Sequence, residues 1–174
     1  KSNTIIDLAT QQPFTYRELK PENMRSYEIG YKGSIADKLL IDVYAYTGKY
    51  EDFLGRNAVY VVEQTKVYST VLNSNTNVKT HGYGLGFEYA LPSNFKVFFN
   101  GYSDVLTDVP QGFQSYFNTP KYRANAGFSN AGLGKSKRIG FNVVWRWQDA
   151  FTWDGELANG NIPAFHTIDG QVNY

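Results

Sequence analysis

The sequence predicts an all-β fold: a transmembrane, antiparallel, up-and-down β-barrel segment of about seven strands. Three observations lead to this prediction. Seven runs alternate between apolar and polar residues, as strands with two unlike faces do. The connections between these runs alternate between short and long. Aromatic residues make up 17% of the chain, and many lie near the ends of the runs, as is typical of strands that cross a membrane.

The first two runs, Ser26 to Ile35 and Leu39 to Thr47, are separated by a short connection. Apolar residues occupy every second position of each run, which is the spacing of one face of a strand. These residues are Tyr27, Ile29 and Tyr31 in the first run, and Leu39, Ile41, Val43 and Ala45 in the second. We therefore predict two antiparallel strands with one apolar and one polar face.

The third run, Thr80 to Ala90, is the most regular, and no helix has its spacing. Its apolar phase consists of His81, Tyr83, Leu85, Phe87 and Tyr89. The opposite phase includes Gly82, Gly84 and Gly86, which we expect to let another backbone approach the wall closely. The fourth run, Phe95 to Ser103, follows after another short connection.

The last three runs are Lys121 to Ser129, Ile139 to Gln148 and Ile168 to Tyr174. Across the seven runs, none of the 28 apolar-phase positions is charged, whereas nine of the 28 polar-phase positions are. All six prolines fall outside the interiors of the runs, as the hydrogen bonding of a sheet requires. The seven runs are therefore predicted strands, and their faces differ in polarity.

The connections indicate how these strands are arranged. The short ones are 36–38, 91–94 and 130–138, and the long ones are 48–79, 104–120 and 149–163. In an up-and-down meander this order puts all short turns at one end and all long loops at the other, as in outer-membrane barrels. A β-branched stretch, Ala58 to Leu72, would break the parity as one extra crossing. We interpret it as an excursion beyond the membrane or an extension of neighbouring strands.

Alternation alone fits either a membrane barrel or a soluble barrel or sandwich, because both have one apolar face. Two features favour lipid. The apolar face carries many Tyr and Trp residues, whose polar tips suit the membrane interface better than a dry core. The polar face mixes glycine with charged residues, as suits a wide aqueous or plugged lumen.

Five motifs in order resemble the TonB-dependent outer-membrane receptors. Leu19 to Glu22 followed by Ser26 to Gly33 resembles the family's "KPE…SYElGyK" strand. The stretch Asp42 to Tyr46 leading to Tyr50 to Leu54 resembles the next strand and its "Y…DF(I/L)" exit. The later matches are Val78 to Tyr89, Asn118 to Arg123 and Trp145 to Gln148. Each motif is weak alone, but their order across residues 19–174 is specific.

The resemblance implies a single-chain barrel of about 22 strands, filled by an N-terminal plug domain and located in the outer membrane of a Gram-negative cell with its long loops extracellular. It implies TonB-driven uptake of a scarce nutrient, such as a metal chelate, a cofactor or an oligosaccharide. Seven strands are too few to close such a barrel. We therefore expect residues 1–174 to be part of one barrel domain, from its C-terminal third, with the plug and the terminal strands outside this chain.

The expected partners are outer-membrane lipid, the rest of the barrel, the plug, TonB through the missing N-terminal region, and an unknown small-molecule substrate. The net charge of +1 gives no reason to expect nucleic acid. Two alternatives remain open. One is another outer-membrane barrel, a porin or a secretion-associated protein. The other is a soluble secreted β-sheet module for binding or adhesion.

The sequence gives no pattern for an enzyme, a cofactor or a resident metal. It has no Cys, no HExxH, no Gly-x-Ser-x-Gly and no phosphate loop. His81 and His166 are expected to be structural or interfacial. Asp149, Asp154 and Glu156 match no established Ca²⁺ spacing and are explained equally well as solvated loop charges.

Ligand contact is expected in the long loops. Phe113, Tyr116, Phe117 and Trp153 are aromatic residues that could stack on a sugar, chelate or macrocycle above the lumen, or pack the loops together. The inward charges are expected to hydrogen-bond the lumen wall or the plug. These are Lys96, Lys121, Arg123 and Arg146.

Overall fold

The computed structural model describes residues 3–155 and 158–174. Within these residues no helix is long and apolar enough to cross a membrane. The strands, numbered along the chain, are β1 (Ile5–Asp7), β2 (Asn23–Ile35), β3 (Leu39–Glu51), β4 (Leu54–Val61), β5 (Lys66–Asn73), β6 (Val78–Ala90), β7 (Phe95–Thr107), β8 (Tyr122–Leu133), β9 (Ile139–Gln148), β10 (Phe151–Trp153), β11 (Gly160–Ile162) and β12 (Phe165–Asn173). Two short 3₁₀ turns lie at Val62–Gln64 and Pro92–Asn94.

Seven strands form one sheet in the order β12-β9-β8-β7-β6-β3-β2. Every neighbouring pair is antiparallel. These are the seven strands that the sequence predicts, and the meander is confirmed. The described residues do not close the barrel, because β2 and β12 each have a partner on one side only.

Several of these strands extend beyond the residues whose alternating pattern predicts them. Pairing continues to Met24↔Tyr50 between β2 and β3, and to Lys79↔Thr107 between β6 and β7. The longest strands have 13 residues, more than the roughly 9–11 that a tilted strand needs to cross a bilayer. The sheet therefore extends beyond the apolar layer at the end that carries the long loops.

The short turns and the long loops lie at opposite ends of the sheet, as predicted. The tightest turn joins β2 to β3 through Ala36 and Asp37, which both have positive φ, near 50°. Two consecutive positive φ angles are characteristic of a type I′ turn, whose twist matches an antiparallel pair. At the other end, the long connections follow β3, β7 and β9.

The first long connection builds a second sheet with the order β1-β4-β5. This loop sheet contains the β-branched stretch 58–72. The stretch is therefore an excursion, and it does not extend the neighbouring strands of the main sheet. A small core ties the loop sheet to the barrel wall: Phe53, Val78 and Phe113 are buried together. Half-buried apolar side chains surround this core, namely Tyr50, Leu72, Leu106 and Val109.

The third long connection contains the hairpin β10–β11. The Asn118 side chain joins it to the second long connection. Its Nδ2 donates to the Asp154 carbonyl at 2.9 Å, and the Asp154 amide donates to its Oδ1 at 2.7 Å. An amide side chain here imitates one rung of a β-ladder, so the two loops are held together.

The two faces of the central strand β6 differ in exposure. This strand has a neighbour on both sides, yet its apolar residues Tyr83, Leu85 and Phe87 are 46%, 37% and 43% exposed. The opposite phase is enclosed instead: Thr80 is 4% exposed. A soluble barrel or sandwich would bury the apolar phase, so this polarity fits a barrel with its apolar face towards lipid.

Neighbouring strands of the same sheet crowd Gly82 and Gly84 of β6, while the expected approach of another backbone, such as that of the plug, stays a prediction. The aromatic ring of Tyr44 lies over Gly84, and that of Tyr46 lies over Gly82. A Cβ atom at either glycine would overlap these rings. Position 84 requires glycine because the Tyr44 ring crosses the strand, and position 82 requires it because both the Ser103 carbonyl of β7 and the Tyr46 ring lie there. Rings that cross glycine in this way shield an otherwise bare backbone.

Candidate functional site

A polar row crosses the enclosed face of the main sheet near the long-loop end. The Tyr46 hydroxyl on β3 donates to Asp104 Oδ1 on β7 at 2.7 Å. The other oxygen of Asp104 accepts from Arg123 Nη2 on β8. The row crosses β6 at Gly82, which stands opposite both Tyr46 and Asp104. Because Gly82 has no side chain, β6 contributes no side chain to the row. Three strands are thereby joined through a single carboxylate.

A second ion pair stands beside this row. Arg146 Nε on β9 donates to Asp169 Oδ2 on β12 at 2.8 Å. The register pairs Arg123 with Gln148 and Asn125 with Arg146, so the two arginines are diagonal neighbours on one face. Diagonal neighbours in an antiparallel pair stand roughly 7–8 Å apart, within reach of one another's long side chains.

The two arginines border a recess of about 230 Å³, here called the arginine recess. Polar and aromatic residues of four strands line it: Tyr102, Arg123, Asn125, Arg146, Trp147, Gln148, Phe165 and Thr167. The Arg123 guanidinium carbon lies 5.8 Å from the centre of the Tyr102 ring. Such a cation–π contact fixes the plane of the guanidinium.

The other inward charges form local contacts. Lys96 pairs with Glu88 at 2.7 Å, towards the short-turn end. Lys121 lies over the ring of Tyr122, 5.1 Å from its centre. Three of the four cations named in the sequence analysis thus form ion pairs with side chains of the same wall.

A larger recess of about 700 Å³, here called the loop recess, lies between the N-terminal segment and the long loops. Its rim mixes amides, hydroxyls, both signs of charge and two phenylalanines: Asp7, Thr10, Pro13, Phe14, Thr15, Arg17, Glu18, Lys20, Asp52, Asn57, Leu72, Asn73, Ser74, Asn75, Pro110, Gln111 and Phe113. The side chain of Asn73 closes one part of it, since it donates to the carbonyls of Lys20 and Asp52.

Asp7 is the buried carboxylate of the loop recess. Its Oδ2 accepts from Asn57 Nδ2 at 2.8 Å, and its Oδ1 accepts from the amides of Ala9 and Thr10 at 2.8 and 3.1 Å. Burial alone would raise the pKa of Asp7, but the hydrogen bonds from Asn57, Thr10 and Ala9 outweigh it and lower the pKa. Asp7 is therefore ionised at neutral pH and organises the turn after β1.

The structure separates the four aromatic residues expected to contact ligand. Phe113 is only 7% exposed and packs against Phe53, with ring centroids 6.0 Å apart. Tyr116 and Phe117 are half-buried, and the Arg56 guanidinium lies 6.0 Å from the centre of the Tyr116 ring. Trp153, at the end of β10, is 46% exposed. Only the small exposed part of Phe113 borders the loop recess.

The described residues contain no group of three or more His, Asp or Glu side chains close enough to hold a metal ion. His166 stands opposite Trp147, on the apolar face. His81 also lies on that face, opposite Thr47. Asp149 and Asp154 lie in the third long connection, whereas Glu156 falls outside the described residues.

The sequence analysis missed the partners of the arginines. The predicted long connection 104–120 includes Asp104, yet β7 continues to Thr107. Asp169 was recognised as a polar-phase residue, but its pairing with Arg146 depends on the register between β9 and β12. The phase of each strand was readable, whereas the register between strands was not.

Comparisons with known proteins agree with this geometry. Residues 2–174 match the family model described as "TonB dependent receptor-like, beta-barrel". No curated protein matches the chain. The fold is similar to that of the siderophore receptor PirA from Acinetobacter baumannii, with 15% identity and a TM-score of 0.63. It is also similar to that of the copper transporter OprC, with 16% identity and a TM-score of 0.66.

The two similar structures show how much of a receptor the chain represents. The match to PirA covers 90% of this chain and 26% of that chain. The match to OprC covers 89% of this chain and 23% of that chain. The 174 residues therefore span about a quarter of the length of either protein. With a family match along almost its whole length, the chain belongs to the β-barrel family of TonB-dependent outer-membrane receptors.

Proposed function

We propose that the protein is part of a receptor for the active, TonB-dependent uptake of a scarce nutrient across the outer membrane. One observation carries the proposal: the family match over residues 2–174. The exposed apolar phase of the central strand β6 supports it. The nutrient would be a metal chelate, a cofactor or an oligosaccharide. The protein would act as a transporter and not as an enzyme.

In this proposal, residues 1–174 form one piece of a single barrel domain. The remaining strands would pair with the free edges of β2 and β12. A plug domain would occupy the enclosed polar face, and TonB would act through a region outside this chain. The long loops would be extracellular, because receptors of this architecture carry short turns on the periplasmic side.

Ligand contact is proposed at the long-loop end. Tyr116, Phe117 and Trp153 keep part of their surface accessible and lie on the two loops that Asn118 joins. Their rings would stack on the ligand. Phe113 would support the site from below, because it anchors the second long loop to Phe53.

The test uses the full natural receptor that contains this segment, produced in an outer membrane. Its intact mass after detergent extraction should be several times 19.7 kDa. Uptake of a panel of labelled ferric chelates, copper, cobalamin and oligosaccharides should include a substrate that depends on both the receptor and TonB. Uptake that persists without TonB would indicate a passive porin. A 19.7 kDa product in the aqueous fraction would overturn the receptor proposal.

A further inference from the structure

We propose that the arginine recess is a subsite for a carboxylate group of the transported ligand. The inference rests on the proposed uptake function and adds a substrate class and two binding residues to it. Arg123 and Arg146 would bind the carboxylate together, on the wall of the lumen beneath the long loops.

The first argument is the unused hydrogen-bonding capacity of the two guanidinium groups. A guanidinium carries five N–H donors. Within the described residues, Arg146 forms its ion pair through Nε alone, and Arg123 forms its own through Nη2. Arg123 Nε has no partner among those residues but is buried against the wall, so only the Nη groups of Arg123 can reach a ligand. The recess therefore contains more donors than the wall satisfies, and a ligand rich in acceptors would satisfy them.

The second argument is the geometry of these donors. Carboxylates bind best to a planar fork of parallel N–H groups, which is the arrangement that arginine provides. The Arg123 fork is held in place on two sides, by Asp104 and by the Tyr102 ring. The Asp169 carboxylate holds Arg146 through its Nε, so the Nη edge of Arg146 remains available. Two oriented forks on one face form a preorganised site.

The two aspartates do not block such a site. Asp104 uses both of its oxygens within the wall, one with Tyr46 and one with Arg123. Asp169 is 58% exposed, so solvent screens its charge. The recess is close to neutral overall and selects its ligand by donor geometry. Amide side chains beside it, Asn125 and Gln148, add further donors.

The position of the recess favours a transported ligand over a side chain of the plug. Arg123 is the second residue of β8, Gln148 is the last of β9 and Phe165 is the first of β12, so the recess lies at the long-loop end of the wall. A ligand that leaves the loops would meet this part of the wall first.

The test measures binding of carboxylate probes to the full receptor in detergent by isothermal titration. Acetate, succinate and citrate serve as carboxylates, and maltose serves as a neutral probe. Arg146→Gln should weaken binding of the best carboxylate roughly tenfold or more, because a charge-assisted bond is lost. Arg146→Lys should recover only part of it, because lysine lacks the fork.

Lys96→Gln is the matched control. It removes a cation from the same face, paired to a carboxylate in the same way, but near the short-turn end. This variant should bind as the wild type does. Arg123→Gln is measured second, together with its unfolding midpoint, because it also removes the ion-pair partner of Asp104.

Three outcomes would overturn the subsite. The carboxylates could bind equally well to Arg146→Gln and Lys96→Gln. Arg146→Gln could weaken the binding of maltose and leave the binding of the carboxylates unchanged. Carboxylates could bind only after the plug is deleted, which would mean that an acidic plug side chain fills the recess. TonB-dependent uptake that persists in any of these cases would leave the proposed function intact.

Discussion

At the scale of single residues, Asp7 controls the loop sheet. Asp7→Asn keeps the shape of the side chain but replaces one accepting oxygen with an NH₂ group, so either Asn57 Nδ2 or the amides of Ala9 and Thr10 lose their acceptor. We expect the opening free energy of β1 to fall by roughly 1–3 kcal/mol. Hydrogen exchange at the amides of Ala9 and Thr10, in the full receptor at pH 7, should speed up accordingly. Asp37→Asn, in the exposed turn after β2, is the control and should change nothing.

The pH dependence of the same carboxylate has a defined sign. Its pKa is lower in the folded protein than its ordinary value of 3.8, so the unfolded segment binds the proton more tightly. The stabilisation is therefore complete above pH 3.8 and is lost as the pH falls through the lowered pKa. Protection of the wild-type segment should decrease below pH 3.8, while that of Asp7→Asn should stay nearly flat. An equal decrease in both would contradict the assignment to Asp7.

Removing the Tyr46 hydroxyl tests how much the polar row contributes to stability. Tyr46→Phe keeps the ring over Gly82 and removes the donor to Asp104 Oδ1. We expect the unfolding free energy to fall by about 1 kcal/mol, measured by urea unfolding in detergent. Tyr44→Phe is a close control, because its ring covers Gly84 in the same way but its hydroxyl forms no hydrogen bond within the described residues. Equal losses in both variants would show that the hydrogen bond contributes nothing.

At the scale of elements, β3 and β6 fit together through glycine. Gly84→Ala places a methyl group too close to the edge of the Tyr44 ring, so the ring or the strand must shift. Such overpacking costs about 1–3 kcal/mol. Gly160→Ala on β11 is the control, because it lies away from the free edges of the main sheet and an added Cβ there meets nothing within 4 Å among the described residues. The temperature at which the full barrel unfolds, detected as a change in its gel mobility, should fall for Gly84→Ala alone.

The elements also show how far the sequence predicts the fold. Alternation predicted all seven strands of the main sheet, because one face meets lipid and the other an aqueous or plugged lumen. It could not predict β1, whose pairing at Ile5↔Val61 joins residues far apart in sequence. Nor could it predict that Asn118 holds the second loop to the third. Contacts of this kind depend on tertiary packing and leave no periodic pattern.

For the candidate site the limits are similar. Sequence reasoning named Arg123 and Arg146 as inward charges but could not pair them with Asp104 and Asp169. It named Phe113 for its chemistry, whereas the structure buries Phe113 in the small core with Phe53 and Val78. Aromatic type alone does not distinguish a stacking surface from a packed ring. Register and burial, which only the folded chain supplies, make that distinction.

At the scale of the whole molecule, the two faces of the sheet should respond oppositely to charge. Leu85 lies in the middle of β6 on the apolar face and is 37% exposed. In a bilayer, Leu85→Arg would put a cation near the hydrocarbon midplane, which costs roughly 2–4 kcal/mol. Asn142→Arg places the same charge on the polar face of β9. We expect Leu85→Arg to lower the yield of folded full-length receptor in the outer membrane, and Asn142→Arg to leave it near that of the wild type.

The comparison between these two variants decides which face meets lipid. Folded and unfolded receptor are separated by heat-dependent gel mobility after membrane preparation, and total synthesis is followed in parallel. A soluble β-sheet protein with the same alternation would bury Leu85 and lose stability in water as well as in a membrane. The barrel should instead tolerate Leu85→Arg better in short-chain detergent than in a bilayer, because a micelle deforms around the charge. Equal tolerance of both variants in a bilayer would contradict the orientation of the sheet.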